Sequence, residues 1–337
     1  MIRAGDAFEA LVAGLRGGPI GGADVQAVIA LANHTLLTPA LFSALARSGA
    51  IELLPQDARE YLGFIHDCNR QRNLRLRAQL DEAVAALNRW GIAPLLIKGA
   101  IPLFLSPVNR LPSRMTSDLD ICVEAAEEAR ARTSLEELGY AEMPGIHGMV
   151  RPQDAAILEL RPSRPTGASS GFLAPELIQR DGFLVKVPPV QSRALNWILH
   201  DLLKEGDYWR GRIDLRHLHD LAQLAETEGV DWNTLRVSLP DQTVRNAIDT
   251  QLLALHAFFA IKISAESAHS PVVRFQHWRR VFTAKHPIIG APLRLAGNLA
   301  WGARRLLRDD GLVRDSPVGL VRRIMRILFD IDQKSKI

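Results

Sequence analysis

Three acidic residues within apolar segments are the residues of this 337-residue chain best suited to chemistry. Asp118 and Asp120 lie at the start of the segment 118–123, whose other residues are apolar. Glu159 lies inside the aliphatic segment 157–160. Residues i and i+2 of a strand point to the same face, so the two aspartates would stand about 6–7 Å apart at the backbone. Such a pair suits one or two Mg²⁺ ions, which lie about 3.5–4 Å apart in two-metal sites.

An Asp-x-Asp pair by itself is a weak signal, because surface strands and loops often carry one. Glu159 could likewise be the polar position of an edge strand. An acid among aliphatic residues is nevertheless costly to bury unless it is paired or metal-bound. We therefore interpret Asp118, Asp120 and Glu159 as metal-binding, catalytic carboxylates that would share one small sheet.

Candidate phosphate ligands precede these acids. Lys98 and Gly99 follow the apolar run 92–97, where glycine lets the backbone approach a phosphate and a helix start offers N–H groups. Arg114 and Ser117 lie just before the aspartates, and an arginine can bind a triphosphate oxygen or orient a carboxylate. The alternatives are an ordinary strand–glycine–helix junction and a surface arginine.

The combination resembles a known group of enzymes. A strand ending in Lys98-Gly99, then Arg114-x-x-x-Asp118-x-Asp120 and a third acid on a later strand, is similar to the DNA polymerase beta-like nucleotidyltransferase superfamily. From about residue 10 to 235 the chain more closely resembles the bacterial uncharacterised nucleotidyltransferase family. Further blocks that follow this family in order are the segment 32–42 and a later helical stretch with His200, Lys204, Arg216 and Asp220.

The resemblance implies an α+β fold, with a small mixed, mainly antiparallel sheet flanked by N-terminal and C-terminal helical regions. It implies a nucleoside triphosphate as partner and Mg²⁺ or Mn²⁺ as cofactor, with a hydroxyl attacking the α-phosphorus and pyrophosphate leaving. Asp118 and Asp120 would hold the metals, and Glu159 would complete the site and help to deprotonate the acceptor. Lys204 and Asp220 could close over the nucleotide, although a helix-surface ion pair is the alternative.

Hydrophobic periodicity places these residues on elements. Residues 57–90 predict one long helix with an apolar face and solvent-facing arginines. Strands are predicted at 92–97, 117–123, 155–161 and 183–187, turns or loops at 144–152 and 162–170, and later helices at 192–204, 213–228 and 241–264. We divide the chain into an N-terminal helical region 1–90, a core 91–190, a helical region 191–240 that closes the site, and a basic helical region 241–337.

Composition places the protein in the class of globular cytoplasmic proteins. With 47% apolar residues the chain can form a sizeable core, so disorder is not expected. Cys68 and Cys122 cannot make a disulfide framework, and we expect free thiols in a reducing compartment. No signal peptide or transmembrane segment is expected, and zinc-ligand spacing is absent from the sequence.

The charge is unevenly distributed. Residues 241–337 hold 16 Lys and Arg against 8 Asp and Glu, although the whole chain has a net charge of only +4. This suggests an acidic partner for the C-terminal region, namely nucleic acid, an anionic membrane surface or an acidic protein, and a solvated helical surface is the alternative. The segment 318–329 could form a basic amphipathic helix, and Trp278 with Arg274, Arg279 and Arg280 could stack on a base.

The sequence leaves the acceptor open among a small molecule, a peptide, a protein and RNA. A second hypothesis is a catalytically silent nucleotide-binding or scaffold protein with the same fold. The presence of all three acids argues against it. His217 and His219 follow Arg216 on a helix, and we interpret both as structural.

Overall fold

The protein is described here by a computed structural model covering residues 4–21, 23–143, 148–163, 174–237, 239, 241–263 and 270–308. Helices dominate the described residues. They are α1 (Ala4–Leu15), α2 (Val25–His34), α3 (Thr38–Ser48), α4 (Gln56–Arg89), α5 (Ala100–Leu105), α6 (Glu128–Glu136), α7 (Val190–Leu199), α8 (Asp207–Arg210), α9 (Leu215–Glu228), α10 (Trp232–Val237), α11 (Gln242–Phe259), α12 (Pro271–Lys285) and α13 (Ala291–Arg308). A π-helical turn, His200–Lys204, continues α7.

The strands form one mixed sheet. They are β1 (Leu95–Leu96), β2 (Asp118–Val123), β3 (Ala141–Glu142), β4 (Met149–Val150), β5 (Ile157–Pro162), β6 (Glu176–Arg180) and β7 (Phe183–Val187), in the order β3-β4-β5-β2-β1-β7-β6. The pairs β2–β5 and β1–β7 are parallel, and the other neighbouring pairs are antiparallel. This confirms the α+β class and the mixed, mainly antiparallel sheet.

The core beneath the sheet follows from alternation along β2. Leu119, Ile121 and Val123 are at most 2% exposed and pack into a cluster with the second half of α4. That half presents apolar residues at helical spacing, among them Leu76 and Leu80. The sheet therefore buries one face on helices and leaves the aspartate face of β2 for the site.

A second core joins the N-terminal helices to helices from the second half of the chain. Helices α1 to α3 pack with α7, α9 and α11, and the rings of Phe8 and Phe258 meet edge to face at 5.3 Å. The change from this core to the sheet core falls inside α4, since Leu62 belongs to the first and Leu76 to the second. The domain boundaries at 91, 191 and 241 stay predictions.

The predicted long helix is confirmed, but the strands differ from expectation in two ways. The predicted strand 92–97 is reduced to Leu95–Leu96, and β3, β4 and β6 were not predicted. The pair β6–β7 carries a recognisable signal, because Asp181-Gly182 joins them with φ of 51° and 85°. Two positive φ values suit a tight hairpin turn, for which Asp-Gly is a preferred sequence.

Among the described helices, none is long and apolar enough to cross a membrane. The segment 318–329, predicted as a basic amphipathic helix, lies outside the described residues.

Candidate active site

The three predicted carboxylates converge at one point of the sheet. β2 and β5 are parallel neighbours with Asp120 opposite Glu159, so the two side chains lie on the same face. Asp118 precedes Asp120 by two residues and shares that face. Each of the three residues offers an oxygen within 4.8 Å of the others. The sheet register therefore produces the cluster that the strand pattern predicted.

Lys98 reaches this cluster from the end of β1. Its backbone has φ of 51°, a left-handed conformation that a non-glycine residue adopts at a cost of about 1 kcal/mol or more. The turn ends β1 and leads into α5, and the Lys98 Nζ lies 2.7 Å from Oδ1 of Asp120. Asp120 is only 2% exposed, so this ammonium group compensates a buried charge.

Glu159 is held between opposing charges. Burial raises the pKa of Glu159 above its ordinary value, and the charge of Asp120 acts in the same direction, whereas Arg161 lowers it. Arg161 donates a hydrogen bond to the Glu159 carboxylate. The third acid is therefore a better proton acceptor than an exposed glutamate.

The cluster fits a hard divalent cation. Three carboxylates so close together repel one another, and Lys98 and Arg161 are the cations in contact with them among the described residues. Carboxylate oxygens are the ligands that Mg²⁺ and Mn²⁺ prefer. Asp118, Asp120 and Glu159 are the residues that would hold such an ion.

The segment leading into β2 is anchored by polar side chains of α4. Asn73 donates to the carbonyls of Pro112 and Arg114 at 2.9 Å, and Asn69 donates to the carbonyl of Ser113 at 3.0 Å. Arg72 donates to the carbonyl of Thr116. These contacts fix the chain just ahead of the aspartates.

The expectation that the α4 arginines face solvent is wrong for Arg77. Its guanidinium is 4% exposed and donates to the carbonyls of Leu103 and Phe104, while Asp81 balances its charge. These carbonyls end the short helix α5, so the arginine caps it. No local sequence pattern indicates this role, because the capped residues lie more than 20 positions away.

An open cleft with a volume of about 200 Å³ lies in front of Asp118. We call it the carboxylate cleft, and it is lined by Lys98, Gly99, Arg114, Met115, Thr116, Ser117, Asp118, Asn196, Trp197, His200, Arg216 and His217. Most of the predicted cofactor-binding residues therefore share one cleft. Ser117 donates to Asp118 at 3.0 Å.

Arg114 and Asp220 are brought together across the fold. Their side chains form an ion pair and are only 16% and 10% exposed. Burial, together with the charge of the neighbouring Arg216, lowers the pKa of Arg114 to about 10. The guanidinium nonetheless stays charged at neutral pH. Asp220 thus contacts the site through Arg114 rather than through Lys204, which is exposed and does not line the cleft.

His217 was interpreted as structural, but it lies in the cleft wall. Its Nδ1 contacts Asp201 and lies 3.4 Å from Asp214. Burial alone would lower the pKa of His217, but the hydrogen bond and charge of Asp201 outweigh burial and raise it. The three residues also meet the geometry of a metal-binding group, with atoms within 4.8 Å. We interpret them as an imidazolium held by two carboxylates, since the contact of Nδ1 with Asp201 and the raised pKa of His217 both favour the protonated ring.

The structure supports only part of the hypothesis that α12 carries a base-stacking surface. Arg279 and Arg280 are buried, at 9% and 1% exposure, and donate to backbone carbonyls of the segment 208–212. Trp278 is half exposed and stacks on Phe282 at 5.3 Å. Two of the three arginines proposed to meet a nucleic acid therefore serve packing.

Comparison with known proteins identifies a family that the chain matches. The sequence model of a family described as "Uncharacterised nucleotidyltransferase" matches residues 21–260. No curated protein matches. Among solved structures, the antibiotic-resistance factor ANT(2'')-Ia is similar with a TM-score of 0.36 and 15% identity, over 55% of this chain and 97% of that one. Because the family match spans most of the chain, the protein belongs to the uncharacterised nucleotidyltransferase family and is a nucleotidyltransferase.

Proposed function

We propose that the protein transfers a nucleoside monophosphate from a nucleoside triphosphate to an acceptor hydroxyl in a Mg²⁺- or Mn²⁺-dependent reaction that releases pyrophosphate. The observation that carries the proposal is the convergence of Asp118, Asp120 and Glu159 beside a cleft lined with cations. A bound divalent cation would neutralise charge on the phosphates and polarise the reacting phosphorus.

The cations of the carboxylate cleft are suited to the triphosphate. Lys98, Arg114, Arg216 and His217 bring positive charge to its walls. A Cβ at position 99 would lie only 3.0 Å from Cγ2 of Thr116. Glycine at this position therefore lets the backbone of residue 99 pack closely against Thr116 in the cleft wall. We assign these groups to holding the phosphates in line with the acceptor, since positioning and charge neutralisation supply most of the rate in phosphoryl transfer.

The proposed step is balanced within the site. The acceptor oxygen forms a bond to the α-phosphorus, the bond from the α-phosphorus to the bridging oxygen breaks, and pyrophosphate leaves with that oxygen. The hydroxyl proton passes to a carboxylate, for which Glu159 is our candidate, because its pKa is raised by burial and by Asp120. Lys98 orients Asp120 through the contact of its Nζ with Oδ1 at 2.7 Å.

We further propose that the protein works in the cytoplasm. Cys68 and Cys122 form no disulfide, as expected in a reducing compartment. ATP is the nucleotide to test first, and the acceptor can be a small molecule, a peptide, a protein or RNA. An acidic partner for the basic C-terminal region remains part of the hypothesis.

The test measures pyrophosphate release from each of the four nucleoside triphosphates with Mg²⁺, Mn²⁺ or EDTA, in the presence of candidate acceptors. The wild type is compared with Asp118→Ala/Asp120→Ala and with Asp67→Asn, a control on α4 whose side chain is 76% exposed. We expect cation-dependent release by the wild type and the control, and a loss of at least about a thousandfold in the double variant.

Binding of the nucleotide is measured in parallel by calorimetry. Cation-dependent binding without release, over every acceptor fraction, would favour the silent nucleotide-binding hypothesis. Absence of both binding and release would refute the assignment of the three carboxylates.

A further inference from the structure

A second, larger cleft lies beside the first. It has a volume of about 510 Å³, within the range usual for small-molecule sites, and we call it the arginine cleft. Helices α3, α5, α7 and α9 supply its walls. Arg114, Trp197 and Arg216 line both this cleft and the carboxylate cleft. A molecule held here would therefore lie next to the nucleotide.

The charge of this cleft is positive. Arg47, Arg114, Arg193 and Arg216 line it, against the two acids Asp220 and Glu228. Arg114 pairs with Asp220 and Arg193 with Glu228, so two of the four arginines have no acid partner within the cleft lining. Neither Arg47 nor Arg216 forms an ion pair among the described residues, although the charge of Arg216 interacts with the carboxylate of Asp214.

The buried arginines also keep unused donors. Arg193 is 7% exposed, and its Nε has no hydrogen-bond partner within the described part of the chain. The Nε of Arg114 is likewise buried and unpartnered there. Both Nε atoms are closed off from solvent, so these two guanidinium groups contribute to the cleft mainly through their charge. Guanidinium donors are best matched by carboxylate or phosphate oxygens.

His219 adds no charge to the cleft. Burial, together with Arg114 and Arg47, lowers its pKa to about 4, so the ring is neutral at pH 7. Leu37, Leu105 and the ring of Trp197 add apolar surface to the lining of the cleft. The cleft thus offers an anion site with an apolar wall.

We propose that the arginine cleft binds the acceptor, and that the acceptor is a small hydroxyl-bearing anion whose carboxylate or phosphate group is held by Arg47, Arg193 and Arg216. The assignment as acceptor rests on the proposed nucleotidyl transfer, whereas the preference for an anion rests on the cleft alone.

The test measures binding of four sugars by calorimetry: glucose 6-phosphate, glucuronate, neutral glucose and cationic glucosamine. Titrations are done at matched ionic strength, with and without a saturating non-hydrolysable ATP analogue and Mg²⁺. We expect an anionic sugar to bind about tenfold or more tightly than glucose, and glucosamine to bind most weakly. Comparison of the first two sugars distinguishes a phosphate from a carboxylate.

Two variants test the residues. Arg47→Gln changes an exposed side chain and should reduce the anion preference at least threefold without affecting folding. Arg193→Gln/Glu228→Gln preserves the net charge and removes the buried pair without leaving one partner ionised. Arg70→Gln, an exposed arginine of α4 outside both clefts, is the matched control and should bind as the wild type does.

Equal binding of all four sugars, or an anion preference unchanged in both variants, would overturn the proposal. Loss of sugar binding when the ATP analogue is added would show that the cleft holds part of the nucleotide, which overturns the acceptor assignment. If the protein failed to bind or turn over nucleotides, the titrations without analogue would still test the anion preference, so the two failures can be distinguished.

Discussion

The substitution Asp118→Asn separates a metal-binding role of the carboxylates from a structural one. It keeps the shape of the side chain and the hydrogen bond from Ser117 but removes one charge. Asp118 lies within 4.8 Å of Asp120 and of Glu159, and at an effective dielectric constant of about 20 each such pair repels by about 3 kcal/mol. Screening over a Debye length of about 8 Å and partial exposure reduce this to about 1 kcal/mol per pair.

In EDTA, Asp118→Asn should therefore be as stable as the wild type or more stable by up to about 2 kcal/mol. Added Mg²⁺ or Mn²⁺ should reverse the order. A cation at a hundredfold excess over its Kd stabilises the wild type by about 2.7 kcal/mol, whereas the variant binds it poorly. Nucleotidyl transfer should fall by at least about a hundredfold in the same variant.

The assay is urea unfolding followed by circular dichroism, in EDTA and at several cation concentrations. Asp67→Asn is the matched control, since it removes one charge from an exposed position of α4. A variant that loses more than about 1 kcal/mol in EDTA, together with an unchanged cation effect, would refute the reasoning and assign Asp118 a structural role.

Three further predictions concern the neighbourhood of the cleft. Gly99→Ala places a Cβ 3.0 Å from Thr116 and 3.6 Å from Arg114, at a φ that alanine adopts without strain. We expect about a tenfold higher KM for the nucleotide and a change in the free energy of unfolding below about 1.5 kcal/mol. An unchanged KM would contradict the role of Gly99 in nucleotide binding. Asp220→Asn leaves the buried Arg114 unpaired and should cost about 3 kcal/mol in urea unfolding, whereas a loss below about 1 kcal/mol would mean that solvent screens the pair. Folding lowers the pKa of His219 from 6.5 to about 4. As the pH falls through this range, His219 is protonated in the unfolded chain but not in the folded one, so acid favours unfolding. The stability of His219→Gln relative to the wild type should be constant above pH 6.5 and rise by up to about 3 kcal/mol as pH falls to about 4, and a flat difference across this range would contradict the burial argument.

The sequence determined the strand faces and hence the carboxylate pair. Alternation along residues 118–123 puts Leu119, Ile121 and Val123 on the buried face and Asp118 and Asp120 on the other, because the side-chain period of a strand is two. The long helix α4 and the helix start after Lys98-Gly99 were also predicted from local patterns, whereas the left-handed backbone of Lys98 was not.

Short strands were not predictable in the same way. β3 and β4 have two residues each, too few for an alternation to emerge, and their pairing comes from the sheet that they extend. The Asp181-Gly182 turn was a usable signal for the hairpin β6–β7. Several expected elements were displaced by one to three residues, as caps and frayed ends decide the boundaries.

Only the tertiary structure decided which distant residues meet. The parallel register of β2 and β5 puts Glu159 beside Asp120, and the packing of α9 on the core brings Asp220 to Arg114 and His217 to the cleft wall. Contacts of this kind join residues tens to a hundred positions apart. They depend on burial and register across the whole fold, which no local pattern of residues encodes.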